Sequence, residues 1–344
     1  MNEQLSMFIS PARKQRIGTL PVPAAESALR LTPPPGLYLG TSSWSFPGWA
    51  GLVWDAHYSA ETLARSGLAA YAALGLFRTV GIDRTYYEPL ASDAFAAYAS
   101  QVGDGFRFLV KAPQLITDAL LRSDGGMGRA LNRAYLDSAL AVDRFVAPAL
   151  GGLGDTAGPL VFQFAPAPRD VVGEMAHWVE RLSRFLEALP RQVSGRSPIY
   201  AVELRNAELV TPRLMRALRD NKVRYVIGLH DRMPPAVRQI AALRALDGCS
   251  DGPYAPAGPV IVRWNLRPGL RYEQAKGRYA PFDRLVDEDP ETRQALARLA
   301  HDALAIGEPI WIIANNKAEG SAPLSLLKLY ESLSASYQQE VVRR

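Results

Sequence analysis

Residues 199–205 read Ile-Tyr-Ala-Val-Glu-Leu-Arg. The run is short and rich in β-formers, and side chains in a strand alternate between faces. Val202 and Leu204 suit a face packed on helices, which sends Ala201, Glu203 and Arg205 to the opposite face. A strand that carries charge at its C-terminal end, on the side away from the helices, belongs to a sheet with a functional interior.

Seven further β-type runs flank this one, at 37–43, 77–83, 106–112, 159–164, 223–229, 259–265 and 309–315. Helical periods separate them. Over 170–189, Met175, Trp178, Val179, Leu182, Phe185, Leu186 and Leu189 recur at three- and four-residue steps. Over 289–306 the same pattern has Asp289 as N-cap, Pro290 in the first turn and Gly307 past the end, and Thr211-Pro212 opens another helix. Strand–helix alternation implies a parallel sheet with helices outside it, and eight units predict an α/β fold of the (β/α)8 TIM-barrel type. An open doubly wound sheet would normally carry a glycine fingerprint after its first strand, and GTSSWS at 40–45 supplies none.

Residues 1–36, with Pro21, Pro23 and Pro33-Pro34-Pro35-Gly36, read as a flexible, Pro-rich N-terminal arm, and 37–344 as the barrel domain. Stretches 247–258 and 266–288 read as long loops. The second follows the seventh strand and is placed to act as a lid.

Of the 344 residues 48% are apolar, enough for one large core. The single cysteine, Cys249, excludes an internal disulfide and a Cys-based zinc site. The N-terminus is too polar for a signal peptide and no apolar run nears 18 residues, so a cytoplasmic protein with no membrane contact is expected. Net charge is +5, carried mostly by arginine, which is compatible with an anionic partner and equally with an ordinary basic surface.

Extending the face alternation to every strand places inward polar groups at the strand ends: Thr41, Asp83, Lys111, Gln163, Glu203, Arg205, His230, Arg263, Asn265, Asn315 or Lys317, with Asn316 between the last two. Buried charges must pair or meet a ligand. The excess of Lys111, Arg205, Arg263 and Lys317 over Asp83 and Glu203 predicts a pocket for phosphate or carboxylate, the alternative being a salt-bridge network that plugs the mouth. As catalytic candidates, Glu203 is the acid or base if burial lifts its pKa, and His230 is its proton-transfer partner. Lys111 stabilises developing negative charge or, if desolvated, forms a Schiff base. Trp44, Phe46, Trp49, Trp54, Tyr86 and Tyr87 on the first loops offer rings to stack on a base or sugar, or pack the loops on the barrel. One inward His and two acids fall short of a metal cluster, so no metal and no cofactor are expected.

These residues stand in a familiar order. G40-TSSWSFPGW-49, T79-VGIDRTYYEP-89, F106-RFLVKAP-113 with Thr117, L160-VFQFAP-166, V202-ELR-205 and N315-NKAEGSAP-323 resemble the YecE-like family, the domain of unknown function 72, over roughly 37 to 335. The resemblance implies a barrel and no established reaction; a likeness of the family to barrel endonucleases of DNA repair suggests nucleic-acid work by analogy alone. The chain departs from the family pattern at Gly81-Ile82-Asp83 (usually Glu-Ile-Asn), at Asn206 (usually His) and at Arg263-Trp264-Asn265-Leu266 (usually Arg-x-His-Gly). Two imidazoles and one carboxylate are thus replaced, which marks a divergent subfamily.

Gln4, Leu5, Met7 and Phe8 resemble the short peptide by which bacterial repair proteins dock on the DNA sliding clamp; the other reading is an ordinary tail. Three functions follow: an enzyme on nucleic acid or a nucleotide-like phosphate, docked to the clamp; a metal-free hydrolase, lyase or isomerase of a small phosphorylated or acidic sugar; and a non-catalytic ligand-binding or adaptor protein.

Overall fold

The computed structural model describes residues 29–122, 128–166, 173–249 and 254–343; the side chains of 121–122, 128–129 and 336–343 are excepted. The clamp-like residues Gln4, Leu5, Met7 and Phe8 lie outside the described residues.

All eight expected strands form: β1 (Leu37–Thr41), β2 (Thr79–Ile82), β3 (Arg107–Lys111), β6 (Ala157–Gln163), β7 (Tyr200–Glu203), β8 (Arg224–Leu229), β9 (Val260–Trp264) and β10 (Ile310–Ala314). Every neighbouring pair is parallel, and β1 pairs with both β2 and β10, which closes the barrel. Between β3 and β6 the chain inserts an antiparallel hairpin, β4 (Leu120–Arg122) with β5 (Gly128–Leu131), which the sequence pattern did not suggest.

Two apolar layers follow from strand alternation. Leu109, Val161, Ala201, Val226, Ile261, Trp311 and Ile313 pack together inside the barrel. Their sequence neighbours Phe108, Val110, Leu160, Phe162, Val202, Ile227, Val262 and Ile312 join the larger cluster between strands and helices. Each fully buried large apolar side chain contributes about 1.5–3 kcal/mol, so this two-sided burial is the main source of stability.

The helices start where their caps dictate. Ser59, Thr211 and Asp289 accept hydrogen bonds from the backbone N–H of Thr62, Leu214 and Thr292, opening helices Ala60–Ser66, Pro212–Asp220 and Pro290–Ala305. The amphipathic stretch at 170–189 forms helix Met175–Glu187, with Trp178, Val179, Leu182, Phe185 and Leu186 buried. Segment 266–288 is not wholly loop, since it contains helix Tyr272–Tyr279.

The described part of the expected arm is packed down. Leu29 is buried in the outer core and its carbonyl accepts from the Leu76 N–H. Arg78 donates to the Pro33 carbonyl, and Ile310 N–H donates to Gly36 O at the start of β10. Residues 29–36 therefore lie across the N-terminal end of the barrel, opposite the strand ends that carry the charges. Among the described residues no helix is long and apolar enough to cross a membrane.

Candidate functional site

At the C-terminal mouth five of the seven inner apolar residues are followed, two positions on, by a polar one. Lys111 follows Leu109, Gln163 follows Val161, Glu203 follows Ala201, Arg263 follows Ile261 and Asn315 follows Ile313. The two-residue period thus stacks a polar layer on the apolar one.

Glu203 is the centre of this layer and is fully buried. Arg205 Nη2 lies 2.7 Å from Glu203 Oε1, and Arg263 Nη1 donates to Oε2 at 2.8 Å. Arg263 Nη2 donates to Asp83 Oδ2 at 2.6 Å, and both arginines donate to Gln163 Oε1 at 3.1 Å. Asn265 Nδ2 reaches Glu203 Oε1 at 3.5 Å. Space for the carboxylate comes from β8: a Cβ on Gly228 would sit 3.2 Å from Glu203 Cγ and Oε1. Gly228 is held in turn by Gln239, fully buried, which accepts from its N–H and donates to its carbonyl.

A cavity of about 610 Å³ opens above this layer. Asp83, Lys111, Gln163, Arg205, Arg263, Asn265 and Asn315 line it, as expected from the sequence, together with His230 and Tyr87. Lys111 Nζ rests 3.6 Å from the centre of the Tyr86 ring, and Lys317 Nζ lies 4.2 Å from that of Tyr272 and donates to Asn315 Oδ1 at 3.2 Å. Tyr86, one of the loop rings expected there, lines the mouth as well, and so do Tyr272, Asp231 and Arg232, which the sequence pattern did not suggest.

Electrostatics separates these groups. Burial pushes the Glu203 carboxyl up, but Arg205, Arg263 and Lys111 together hold it below the ordinary carboxylate range. The expectation that burial would raise its pKa is therefore reversed: both oxygens are engaged by guanidinium groups, and Glu203 stays ionised as their counter-charge. His230, in contact with Asp231, is lowered to about 4 by burial and by the nearby Arg205, so it is a neutral imidazole at pH 7. Burial lowers Lys111 to about 8, against the pull of Asp83, and lowers Lys317 to about 8.

Four expected pocket residues lie elsewhere. Leu37 and Leu39 join the outer core while Tyr38 stacks inward on Trp311, so Thr41 also faces the helices, and its hydroxyl and N–H bond the Tyr71 hydroxyl. Ser42 takes the inward place and accepts from Asn315 Nδ2 at 2.7 Å. Trp44 is buried against the helix layer, with its indole N–H on the Leu63 carbonyl. Trp49 and Asn316 are fully buried and bond each other; Asn316 Oδ1 also accepts from Ala322 N–H and so anchors the last helix, Ala322–Arg343. Among the described residues no group of three or more His, Cys, Asp or Glu side chains is placed to hold a metal ion.

The model of the family described as "Protein of unknown function DUF72" matches residues 38–344. A solved DUF72 family protein from Thermotoga maritima is 19% identical, with a TM-score of 0.56, over 87% of this chain and 99% of its own. A second, from Enterococcus faecalis, is 17% identical with a TM-score of 0.51, over 87% and 95%. These likenesses extend to the barrel fold. No curated protein matches the chain.

Proposed function

The chain belongs to the DUF72 family, whose function is unknown, and from that premise we propose that its barrel mouth binds a small anionic molecule, with a phosphate or carboxylate seated between Lys111 and Arg205. One observation carries this reading. Arg205 Nη1 is buried and without a hydrogen-bond partner, and Lys111 has no carboxylate within 4 Å among the described residues, yet both line one cavity. A buried donor left unmet costs about 1–3 kcal/mol, and an anion spanning the two cations recovers it. The paired charges below supply fixed geometry: Glu203 orients Arg205, and Arg263 orients Glu203. The volume falls in the range of small-molecule sites, about 300–1,000 Å³, which favours a nucleotide-sized or smaller ligand over a nucleic-acid duplex. Tyr86, Tyr87 and Tyr272 offer rings to the rest of the ligand.

Calorimetric titration with inorganic phosphate and with citrate tests this. Binding to the wild type is expected, weakened by added salt and lost in Lys111→Met and in Arg205→Met. Absence of heat and of thermal stabilisation with both anions would overturn the reading.

A further inference from the structure

The Lys111 amine differs from Arg205 and Arg263 in having no carboxylate partner of its own among the described residues. Its nitrogen lies on the Tyr86 ring, its side chain is buried, and the cavity opens directly onto it. Arg205, whose partnerless Nη1 the reading above assigns to an anionic group, lines the same space. Asp83 adds a carboxylate oxygen: Oδ2 is taken by Arg263, while Oδ1 is buried without a partner. An amine, an anion receptor and an unengaged carboxylate oxygen around one cavity make a set of groups suited to carbonyl condensation.

We propose that Lys111 is a nucleophile that forms an imine with a small molecule bearing a ketone or aldehyde beside an anionic group. The inference rests on the anion-binding reading, since Arg205 would hold that group and thereby present the carbonyl carbon to Nζ. The neutral amine's lone pair forms the C–N bond while the carbonyl π pair moves to oxygen. That oxygen takes up a proton as the nitrogen loses one, giving a carbinolamine. The C–O bond then breaks, the oxygen takes a second proton from Asp83 and leaves as water, the nitrogen lone pair closes C=N, and the nitrogen returns its remaining proton to Asp83. Amine plus carbonyl becomes imine plus water, with no oxidant or reductant. Asp83 Oδ1 accepts and returns the protons. The charged groups acting on Lys111 are Asp83 beyond β2, Glu203 and Arg205 at β7, and Arg263 on β9; with them, burial brings its pKa to about 8, so the reactive neutral amine is present near pH 8.

Borohydride trapping decides it. The full chain is incubated with pyruvate, or with glyceraldehyde 3-phosphate, and reduced with sodium borohydride; adducts are read by intact mass and peptide mapping. One adduct per chain on Lys111 is expected, absent in Lys111→Arg, retained in Lys328→Met, a surface lysine outside the cavity, and suppressed in the wild type by inorganic phosphate. The pyruvate arm and the phosphate arm separate an oxo acid from a phosphorylated carbonyl as the preferred source. No adduct on Lys111 with either probe, or adducts spread evenly over surface lysines, overturns the proposal. If phosphate still binds calorimetrically, the anion reading survives that failure. Trapping that phosphate does not suppress would instead count against the anion site. Protection by phosphate is measured on the wild type, so the result stands even if Lys111→Arg folds poorly.

Discussion

Arg263 ties four strands together from one side chain. Its guanidinium reaches Asp83 beyond β2, Gln163 on β6 and Glu203 on β7 from its own place on β9. Removing it leaves Glu203 with one arginine and Asp83 with none within 4 Å among the described residues. Arg263→Met is therefore expected to destabilise the protein by about 3–5 kcal/mol, the usual cost of breaking a buried pair from one side. Urea unfolding measures it, and a loss under about 1 kcal/mol would show the pair to be dispensable. Most of these residues were legible in the sequence, because Glu203 and Arg263 stand two positions beyond the small or apolar inward residues Ala201 and Ile261, and Arg205 two beyond Glu203. Thr41 was not: LYLGT is apolar on both faces, so alternation alone cannot say which face is inner until Tyr38 is seen stacked on Trp311. Nor was Glu203's ionisation legible, because the sequence does not disclose that two guanidinium groups share its oxygens.

At the scale of elements, a single amide ties β8 to the helix that follows it. Gln239, on helix Ala236–Leu246, accepts from the Tyr225 hydroxyl and from Gly228 N–H and donates to the carbonyls of Gly228 and Pro234. Gln239→Leu keeps the volume but strips partners from several buried polar groups. It is expected to cost about 2–4 kcal/mol and to weaken phosphate binding through displacement of Gly228 against Glu203, as chemical denaturation and titration of the same variant will show. Unchanged stability would mean that water replaces the amide. The eight strands and the capped helices were legible because period and cap chemistry are local. The β4–β5 hairpin and helix Tyr272–Tyr279 were not: the first is a brief excursion within the β3–β6 connection, and the second, with Gly277 in it, has a weak apolar period. Tyr272 was missed for the same reason, since loop geometry and not strand alternation aims it at the mouth.

The whole molecule has a pH profile set by its buried lysines. Lys111 and Lys317 titrate near 8 when folded against 10.5 ordinarily, so below pH 8 they are charged in both states and their desolvation cost is present in full. From pH 8 upward the unfolded chain binds more protons than the folded one, so stability rises with pH. The rise ends near pH 10, where tyrosines such as Tyr71 and Tyr225, raised by burial, begin to ionise only in the unfolded state. Unfolding free energies from urea titrations between pH 8 and 10 are expected to climb by an amount on the order of 2 kcal/mol for Lys111, and Lys111→Met to lose that part of the slope while gaining stability at pH 7. A flat wild-type profile would show that water reaches the amine and leaves it ordinarily solvated.

The packed segment 29–36 also governs how the protein can be handled. The described chain enters at Leu29 under the barrel, and the last helix passes the same region, where Tyr330 donates to the Thr32 carbonyl. A tether attached at Leu29 or at the end of the last helix thus leaves from the underside. Molecules grafted to a sensor chip by such a tether would present their openings outward, ready for flowing analyte, whereas a cut at residue 37 would strip Leu76 of its backbone acceptor and spoil the support itself.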